Sequence, residues 1–196
     1  GGGAVAQPHH AAPEYPEGER LPHVLIDYLF MGQDVNKVLP MLAVKERQSK
    51  MKFAHLVSQK GPDEYAIDQT VEDICSLGLR RFVFKSDQEP AILALKDRVV
   101  ETLGKKCEVI LEESPVDDHQ ANGEIENCIK ELEKQIRVLK LGLEQKMQLT
   151  LKDDHPMMAW LPEHSGFLLS RFQVAADGKT AYERLKGKEW RGELMD

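Results

Sequence analysis

The chain has few cysteines and no long hydrophobic run. Its three cysteines, Cys75, Cys107 and Cys128, form no C-x-x-C pair, so neither a disulfide scaffold nor a cysteine-based zinc site is expected. The thiols are instead predicted to be reduced and buried in an intracellular protein. No apolar run approaches the roughly 18 to 20 residues that span a bilayer, and the N-terminus has no signal-peptide pattern. The sequence therefore predicts a soluble protein with no membrane partner.

A surplus of positive charge is also lacking, since 26 Lys and Arg stand against 33 Asp and Glu and leave a net charge of −7. Phosphate binding normally requires more Lys and Arg, so this balance argues against a strong, autonomous DNA-binding protein. A local basic patch can still bind DNA within an acidic protein, and a clustered acidic site lowers the net charge by itself. With 196 residues and 41% hydrophobic composition, the chain is long enough for one core, and a second full domain is not expected.

The order of the predicted elements indicates the fold class. Strands are predicted at residues 23–30, 38–45, 53–58, 81–84 and 107–111. Helices are predicted at residues 64–77, 90–103, 122–147 and 157–172. Three strands followed by alternating helices and strands predict an α/β protein with a mixed five-stranded sheet and helices on both faces.

The predicted core spans residues 21–175. Residues 1–20 are rich in Gly, Ala and Pro and are predicted to be a disordered linker or the truncated end of a longer polyprotein. Residues 176–196 are polar and are predicted to be a C-terminal extension that leads to a further domain.

Three acidic residues lie where a metal site could form. Asp87 lies in the polar turn after the apolar, β-rich run at 82–84, and Asp27 follows the apolar run at 24–26. Glu126 lies near the start of the long amphipathic helix. Carboxylates on two strands and a helix are held rigidly enough to bind a pair of Mg²⁺ ions for phosphodiester chemistry. Because the chain has 33 acidic residues, each of the three taken alone also fits a surface or capping role.

Three segments resemble a known family. Residues 86–91 (SDQEPA) resemble the S-D-x-G-x-E/A segment of retroviral and retrotransposon integrases, and residues 114–127 (SPVDDHQANGEIEN) resemble their P-x-x-x-x-N/Q-G-x-x-E segment. Residues 177–188 (DGKTAYERLKGK) are similar to the G-x-T-P-Y-E-x-L-x-G-K stretch that follows the core in such retroelements. The segments occur in the family's order. Gln88-Glu89 replaces the common Asn-Gly and Ala181 replaces the usual proline, and both changes leave the three acids in place.

The resemblance implies an RNase H-like fold and an integrase catalytic core from a Pol polyprotein. It places the catalytic and metal-binding triad of the family on Asp27, Asp87 and Glu126, with Mg²⁺ or Mn²⁺ as the cofactor. The implied activity is two-metal polynucleotidyl transfer, in which a water trims the 3′ end of the element's DNA and the new 3′ hydroxyl then attacks target DNA. The implied partners are retroelement DNA ends, target DNA and further copies of the chain, and the implied location is the nucleus during integration.

Basic residues on the long helix are candidates for DNA contact. Lys130, Lys134 and Arg137 recur at helical spacing on or near the face that carries Glu126. In integrases a lysine one turn after the catalytic glutamate contacts the DNA end, so Lys130 is the first candidate for a phosphate contact. Ion pairs with the intervening glutamates on a solvated helix would give the same pattern. His119 is a candidate for DNA contact or for a general acid–base role, although a loop histidine is more often simply exposed.

An alternative function belongs to a different class. The chain could be a non-catalytic interaction module, a degenerate or domesticated integrase fold that serves as a dimerising scaffold. The intact acidic trio argues against this function, whereas the net charge of −7 and the altered residues after Asp87 argue for it. Another RNase H-like nuclease or transposase would share the chemistry and differ only in its substrate. Metal binding separates the enzyme from the scaffold.

Overall fold

The computed structural model describes residues 21–31, 39–113 and 119–192. The segment predicted as a linker, residues 1–20, lies outside this part of the chain. The strands are β1 (His23–Met31), β2 (Leu39–Glu46), β3 (Lys52–Leu56), β4 (Arg81–Ser86) and β5 (Glu108–Glu113). The helices are α1 (Glu64–Leu77), α2 (Pro90–Leu103), a short 3-10 turn (Gly104–Lys106), α3 (His119–Met147), α4 (Met157–Phe172) and α5 (Ala181–Lys186).

The five strands form one mixed sheet in the order β3-β2-β1-β4-β5. The strands β1, β2 and β3 pair antiparallel, and β4 pairs parallel to both β1 and β5. In this register Leu25 of β1 lies between Lys45 of β2 and Lys85 of β4. The predicted mixed five-stranded sheet is confirmed.

Helices cover both faces of the sheet because side chains alternate along each strand. On β1, the buried side chains of Val24, Ile26 and Tyr28 belong to a cluster with α1, α2 and α5. The buried side chains of Leu25 and Leu29 belong to the opposite cluster, with α3 and α4. Even-numbered residues of β1 therefore face one helical layer and odd-numbered residues face the other.

The predicted helix ends are confirmed where a capping residue marks the end in the sequence. The Asp63 carboxylate accepts a hydrogen bond from the Tyr65 N–H at the start of α1, and Gly78 ends that helix at a φ of 71°. Helix α2 begins at Pro90, whose missing N–H is needed by no hydrogen bond in a first turn. The predicted bounds of α1, α2 and α4 are confirmed.

Strand ends differ more from the predictions. β4 continues two residues beyond the predicted end at 84, because Lys85 and Ser86 pair with Glu112 and Glu113 of β5. The Lys85 ammonium lies 2.9 Å from a Glu112 carboxylate oxygen, so a charged residue is buried inside the strand. β3 is Lys52–Leu56 rather than 53–58, and α3 begins three residues before the predicted start at 122.

Helix α5 was not predicted and lies within the segment predicted as a polar extension. Thr180 and Glu183 form a reciprocal capping box at its start, which stabilises a short helix. Ala181 is buried in the cluster with α1 and α2. The Lys186 ammonium donates to the Ser76 carbonyl oxygen at 2.9 Å, so residues 181–186 pack back onto the core.

Helix α4 lies very close to β3. A Cβ atom on Gly166 would lie 3.1 Å from both the Lys52 carbonyl oxygen and the Phe53 Cα, so only glycine allows this approach without a shift. One turn further on, the Ser170 hydroxyl donates to the Lys52 carbonyl oxygen and accepts from the Lys52 N–H, both at 2.9 Å. Of the helices in the described ranges, none is long and apolar enough to cross a membrane.

Candidate active site

The two predicted aspartates lie side by side. β1 and β4 run parallel, with Leu25 beside Lys85, and continuing this register by two residues places Asp27 level with Asp87. By the alternation of β1, Asp27 faces the same side of the sheet as Leu25 and Leu29, toward α3 and α4. Asp87 directly follows the last residue of β4 and is exposed.

The electrostatics of Asp27 reflect this pairing. Partial burial raises the pKa of its carboxyl to about 6, and the negative charges of Asp87 and Glu89 add to the increase. A hydrogen bond of 2.7 Å from the Tyr28 N–H and the positive charge of Lys60 act in the opposite direction. Asp27 is therefore mainly ionised at neutral pH, beside a second carboxylate and in a half-buried position.

Local hydrogen bonds fix the turn that carries Asp87. The Ser86 hydroxyl donates to the Asp87 carbonyl oxygen at 2.8 Å, and the Glu89 N–H donates to the Asp87 carboxylate at 3.1 Å. Helix α2 starts at Pro90, immediately after this turn. The second aspartate is thus held between a buried strand and a helix start.

The first turns of α3 are attached to β2. The Arg47 guanidinium donates to a Glu124 carboxylate oxygen at 2.7 Å, and the Lys45 ammonium donates to the Glu124 carbonyl oxygen at 3.0 Å. Lys45 is buried, and this burial lowers its pKa. These two contacts attach the second turn of α3 to the end of β2.

Glu126 projects from the other flank of α3. Residues two apart on a helix differ by about 200° in direction, so Glu126 points away from the flank on which Glu124 meets Arg47. Its side chain is exposed. Lys45, which binds the Glu124 carbonyl oxygen, pairs with Leu25 of β1, two residues before Asp27.

Comparison with solved structures identifies the fold. The chain is similar to the HTLV-2 integrase catalytic core domain in complex with magnesium, in its trimeric form, with 12% identity and a TM-score of 0.59 over 83% of this chain and 95% of that chain. It is similar to a chain of the simian T-cell lymphotropic virus intasome in complex with PP2A regulatory subunit B56 gamma, with 13% identity and a TM-score of 0.64 over 97% of this chain and 64% of that chain. The chain is also similar to the catalytic core domain of BIV integrase, with 14% identity and a TM-score of 0.54 over 83% of this chain and 92% of that chain.

The fold is that of a retroviral integrase catalytic core. The predicted RNase H-like fold is thereby confirmed. At 12% to 14% identity the likeness concerns the fold, and the chemistry has to be argued from the residues of this chain. No protein-family model and no curated protein matches the sequence.

On this integrase-core fold, the aspartate pair fits a divalent cation. Mg²⁺ prefers oxygen ligands and keeps several waters, so one or two carboxylates suffice to hold it. Asp27 and Asp87 supply two neighbouring carboxylates, and a cation between them would offset the repulsion that helps to raise the pKa of Asp27. Across the described ranges, no three His, Cys, Asp or Glu side chains are close enough together to hold a metal ion. The structure thus pairs the aspartates, and Glu126 as a third ligand stays a prediction.

The predicted DNA contacts on α3 are accessible. Lys130 and Lys134 are both exposed, and Lys130, one turn after Glu126, differs from it by about 40° in direction. The Arg137 guanidinium donates to the Glu133 carbonyl oxygen at 3.3 Å, an intrahelical contact on the same flank. His119 is the first residue of α3, and its side chain lies outside what the structure describes. DNA binding by these residues stays a prediction.

Lys60, in the loop between β3 and α1, was not predicted as a site residue. Its ammonium lies 2.7 Å from a Glu89 carboxylate oxygen and 4.9 Å from the ring centroid of Phe30. Its charge also lowers the pKa of Asp27. The sequence around Lys60, a lysine before a Gly-Pro turn, does not predict this ion pair, because Lys60 and Glu89 are 29 positions apart.

Proposed function

We propose that this chain catalyses metal-dependent polynucleotidyl transfer, comprising 3′-end processing of retroelement DNA and strand transfer into target DNA. The observation that supports the proposal is the pair of carboxylates at the ends of two adjacent parallel strands. Asp27 is half-buried, with a pKa of about 6, and Asp87 lies level with it at the start of a fixed turn. An integrase-core fold that carries this pair has the acidic groups that phosphodiester chemistry requires.

Each residue has a defined task in this proposal. Asp27 and Asp87 would hold Mg²⁺ or Mn²⁺, and Glu126 would complete the ligand set from the flank of α3 that is free of the Arg47 contact. The bound metal would supply a Lewis acid that activates the attacking oxygen and stabilises the leaving oxygen. Asp27 keeps its carboxylate ionised above about pH 6, so it accepts a cation at neutral pH.

Substrate binding would come from a limited basic surface, since the chain as a whole is acidic. The exposed Lys130 and Lys134 would bind phosphates of the DNA end, and His119 would lie at the start of the same helix. Several copies would act together. The HTLV-2 integrase catalytic core has dimeric and trimeric forms, which supports a homo-oligomer here. Integration into chromosomal DNA would take place in the nucleus.

Metal binding is the first test. We expect Mn²⁺, titrated by electron paramagnetic resonance, to bind the wild-type chain, and Asp27→Asn or Asp87→Asn to weaken that binding by at least about tenfold. The matched control is Glu133→Gln, because Glu133 is on the same flank of α3 as Glu126 and seven residues further on. The control should bind Mn²⁺ as the wild type does. Equal Mn²⁺ binding by all variants would refute the aspartate site.

Activity is the second test. Mg²⁺-dependent cleavage and joining of labelled DNA duplexes should fall at least about a hundredfold in Asp87→Asn and Glu126→Gln, and should persist in Glu133→Gln. The interaction-module alternative gives a different result. A chain that neither binds Mn²⁺ nor changes its behaviour on substitution of Asp27 or Asp87 would serve as a scaffold rather than as an enzyme.

A further inference from the structure

The loop between β3 and α1 folds back over β1. Gly61 adopts a φ of 108°, which an L side chain rarely adopts, and its N–H donates to the Tyr28 hydroxyl at 2.9 Å. The preceding residue, Lys60, thereby lies over two rings of β1, 5.3 Å from the centroid of Tyr28 and 4.9 Å from that of Phe30. The loop thus presents one ammonium group on an aromatic surface.

The Lys60 ammonium forms an ion pair with Glu89 that a phosphate group could replace. Lys60 contacts both carboxylate oxygens of Glu89, at 2.8 and 2.7 Å. The side chains remain 29% and 34% exposed, and an ion pair in contact with water contributes little stability. An incoming phosphate can therefore replace Glu89 on Lys60 at small cost, provided that it also gains other contacts.

Phe30 offers such a contact. It is 52% exposed, although its neighbour Tyr28, two residues earlier on the same side of β1, is buried. An exposed aromatic face beside a cation is the combination with which proteins bind unpaired nucleotides, because a base stacks on the ring while its phosphate meets the charge. Lys60 contacts Glu89, whose N–H donates to the Asp87 carboxylate, so the surface adjoins the turn that carries Asp87.

We propose that Phe30 and Lys60 form a nucleotide-binding subsite, in which Phe30 stacks on an unpaired base and Lys60 binds the adjoining phosphate in exchange for Glu89. The proposal deepens the DNA-processing function proposed above and rests on it for the identity of the substrate. Stacking is tolerant of sequence, since every base has a π-face. The subsite therefore holds a frayed DNA end beside the turn that carries Asp87, without reading its sequence.

Binding of a fluorescein-labelled oligothymidine, followed by fluorescence anisotropy, tests the subsite directly. We expect Phe30→Ala to weaken binding on the order of tenfold and Phe30→Trp to retain it. Lys60→Met should weaken binding and lower the magnitude of the salt slope by about 0.7, the value for one phosphate contact on single-stranded DNA. Phe172→Ala is the matched control, because Phe172 is 43% exposed on α4, and it should bind as the wild type does.

Glu89→Gln separates a binding site from a structural contact. If Lys60 exchanges Glu89 for phosphate, removing the competing charge should tighten oligothymidine binding by several-fold. If the ion pair only fixes the loop, Glu89→Gln should weaken binding in the same way as Lys60→Met, and that result would overturn the proposal. Unchanged binding by Phe30→Ala would overturn it as well.

The Mn²⁺ titration distinguishes this proposal from the function on which it rests. Phe30→Ala should bind Mn²⁺ as the wild type does, since the ring carries no metal ligand. Loss of oligothymidine binding in Phe30→Ala with intact Mn²⁺ binding supports the subsite. A chain that binds no Mn²⁺ but still loses oligothymidine binding on Phe30→Ala keeps the subsite and refutes the enzyme.

Discussion

A buried ion pair between His55 on β3 and Asp73 on α1 should make the stability of the protein depend on pH. His55 Nε2 lies 2.8 Å from Asp73 Oδ2, and the two side chains are 7% and 8% exposed. On the other side of the imidazole, Nδ1 lies 3.7 Å from a Glu163 carboxylate oxygen of α4, which also accepts a hydrogen bond from the Tyr65 hydroxyl. The cluster therefore links β3, α1 and α4 through one imidazole.

The magnitude follows from the pKa of His55. Burial alone would lower this pKa, but the hydrogen bond to Asp73 and the negative charges of Asp73 and Glu163 outweigh burial and raise it from 6.5 to about 9. Burial also raises the pKa of Asp73, in opposition to its partner. We take the pair as imidazolium and carboxylate, because the imidazole faces two acids. Because the pKa of His55 is raised in the folded state, its protonation stabilises the fold fully below pH 6.5. This stabilisation is lost as the pH rises through about 9, and it amounts to at most about 3 kcal/mol.

Urea unfolding at a series of pH values measures this effect. Between pH 6.5 and 9 the free energy of unfolding of the wild type should fall by about 3 kcal/mol more than that of Asp73→Asn. The variant should be less stable at pH 6.5, because the imidazolium loses its nearest carboxylate, and the two proteins should converge near pH 9. Asp68→Asn, an exposed change on the same helix, should follow the wild type. Parallel pH profiles for wild type and Asp73→Asn would refute the ion pair.

Three further predictions concern other parts of the structure. Gly166→Ala should lower the free energy of unfolding by about 1 to 3 kcal/mol in urea titrations, because its Cβ would press on the Lys52 carbonyl at 3.1 Å, and an unchanged midpoint would contradict this packing. Apparent Mn²⁺ affinity should fall by about tenfold per pH unit below 6, since protonation of Asp27 competes with the metal, and a flat profile from pH 7.5 to 5 would argue against Asp27 as a ligand. Burial raises the pKa of Cys128 to about 12, so mass spectrometry after iodoacetamide treatment of the native protein should find Cys75 alkylated and Cys128 protected until urea is added.

Local signals explain why some elements were predictable from the sequence. Helices α1 and α2 end where a glycine follows the apolar pattern, and these residues act within one turn of the helix they terminate. The end of β4 was not predictable in this way, because the buried Lys85 pairs with Glu112 on β5, a residue distant in sequence. Helix α5 has only six residues and lies in a charged segment, although its capping box from Thr180 to Glu183 was readable.

In the candidate site, too, some positions follow from the sequence and others depend on contacts between distant residues. The placement of Asp27 and Asp87 follows from strand order, because equivalent positions of adjacent parallel strands lie side by side. The position of Glu126 depends on how Arg47 and Lys45 hold α3, and no pattern along the chain indicates those contacts. Lys60 was missed for the same reason, since its role depends on a loop that folds back onto β1.

The contact between Ser170 and Lys52 affects how copies of this protein can associate. β3 is an outermost strand of the sheet, and the outward N–H and C=O groups of such a strand are a template on which another chain can add a strand and aggregate. The Ser170 hydroxyl forms hydrogen bonds with both the N–H and the C=O of Lys52, and Gly166 lets α4 lie directly against the strand. Addition of a strand from another chain is therefore blocked at Lys52 on the β3 edge of the sheet.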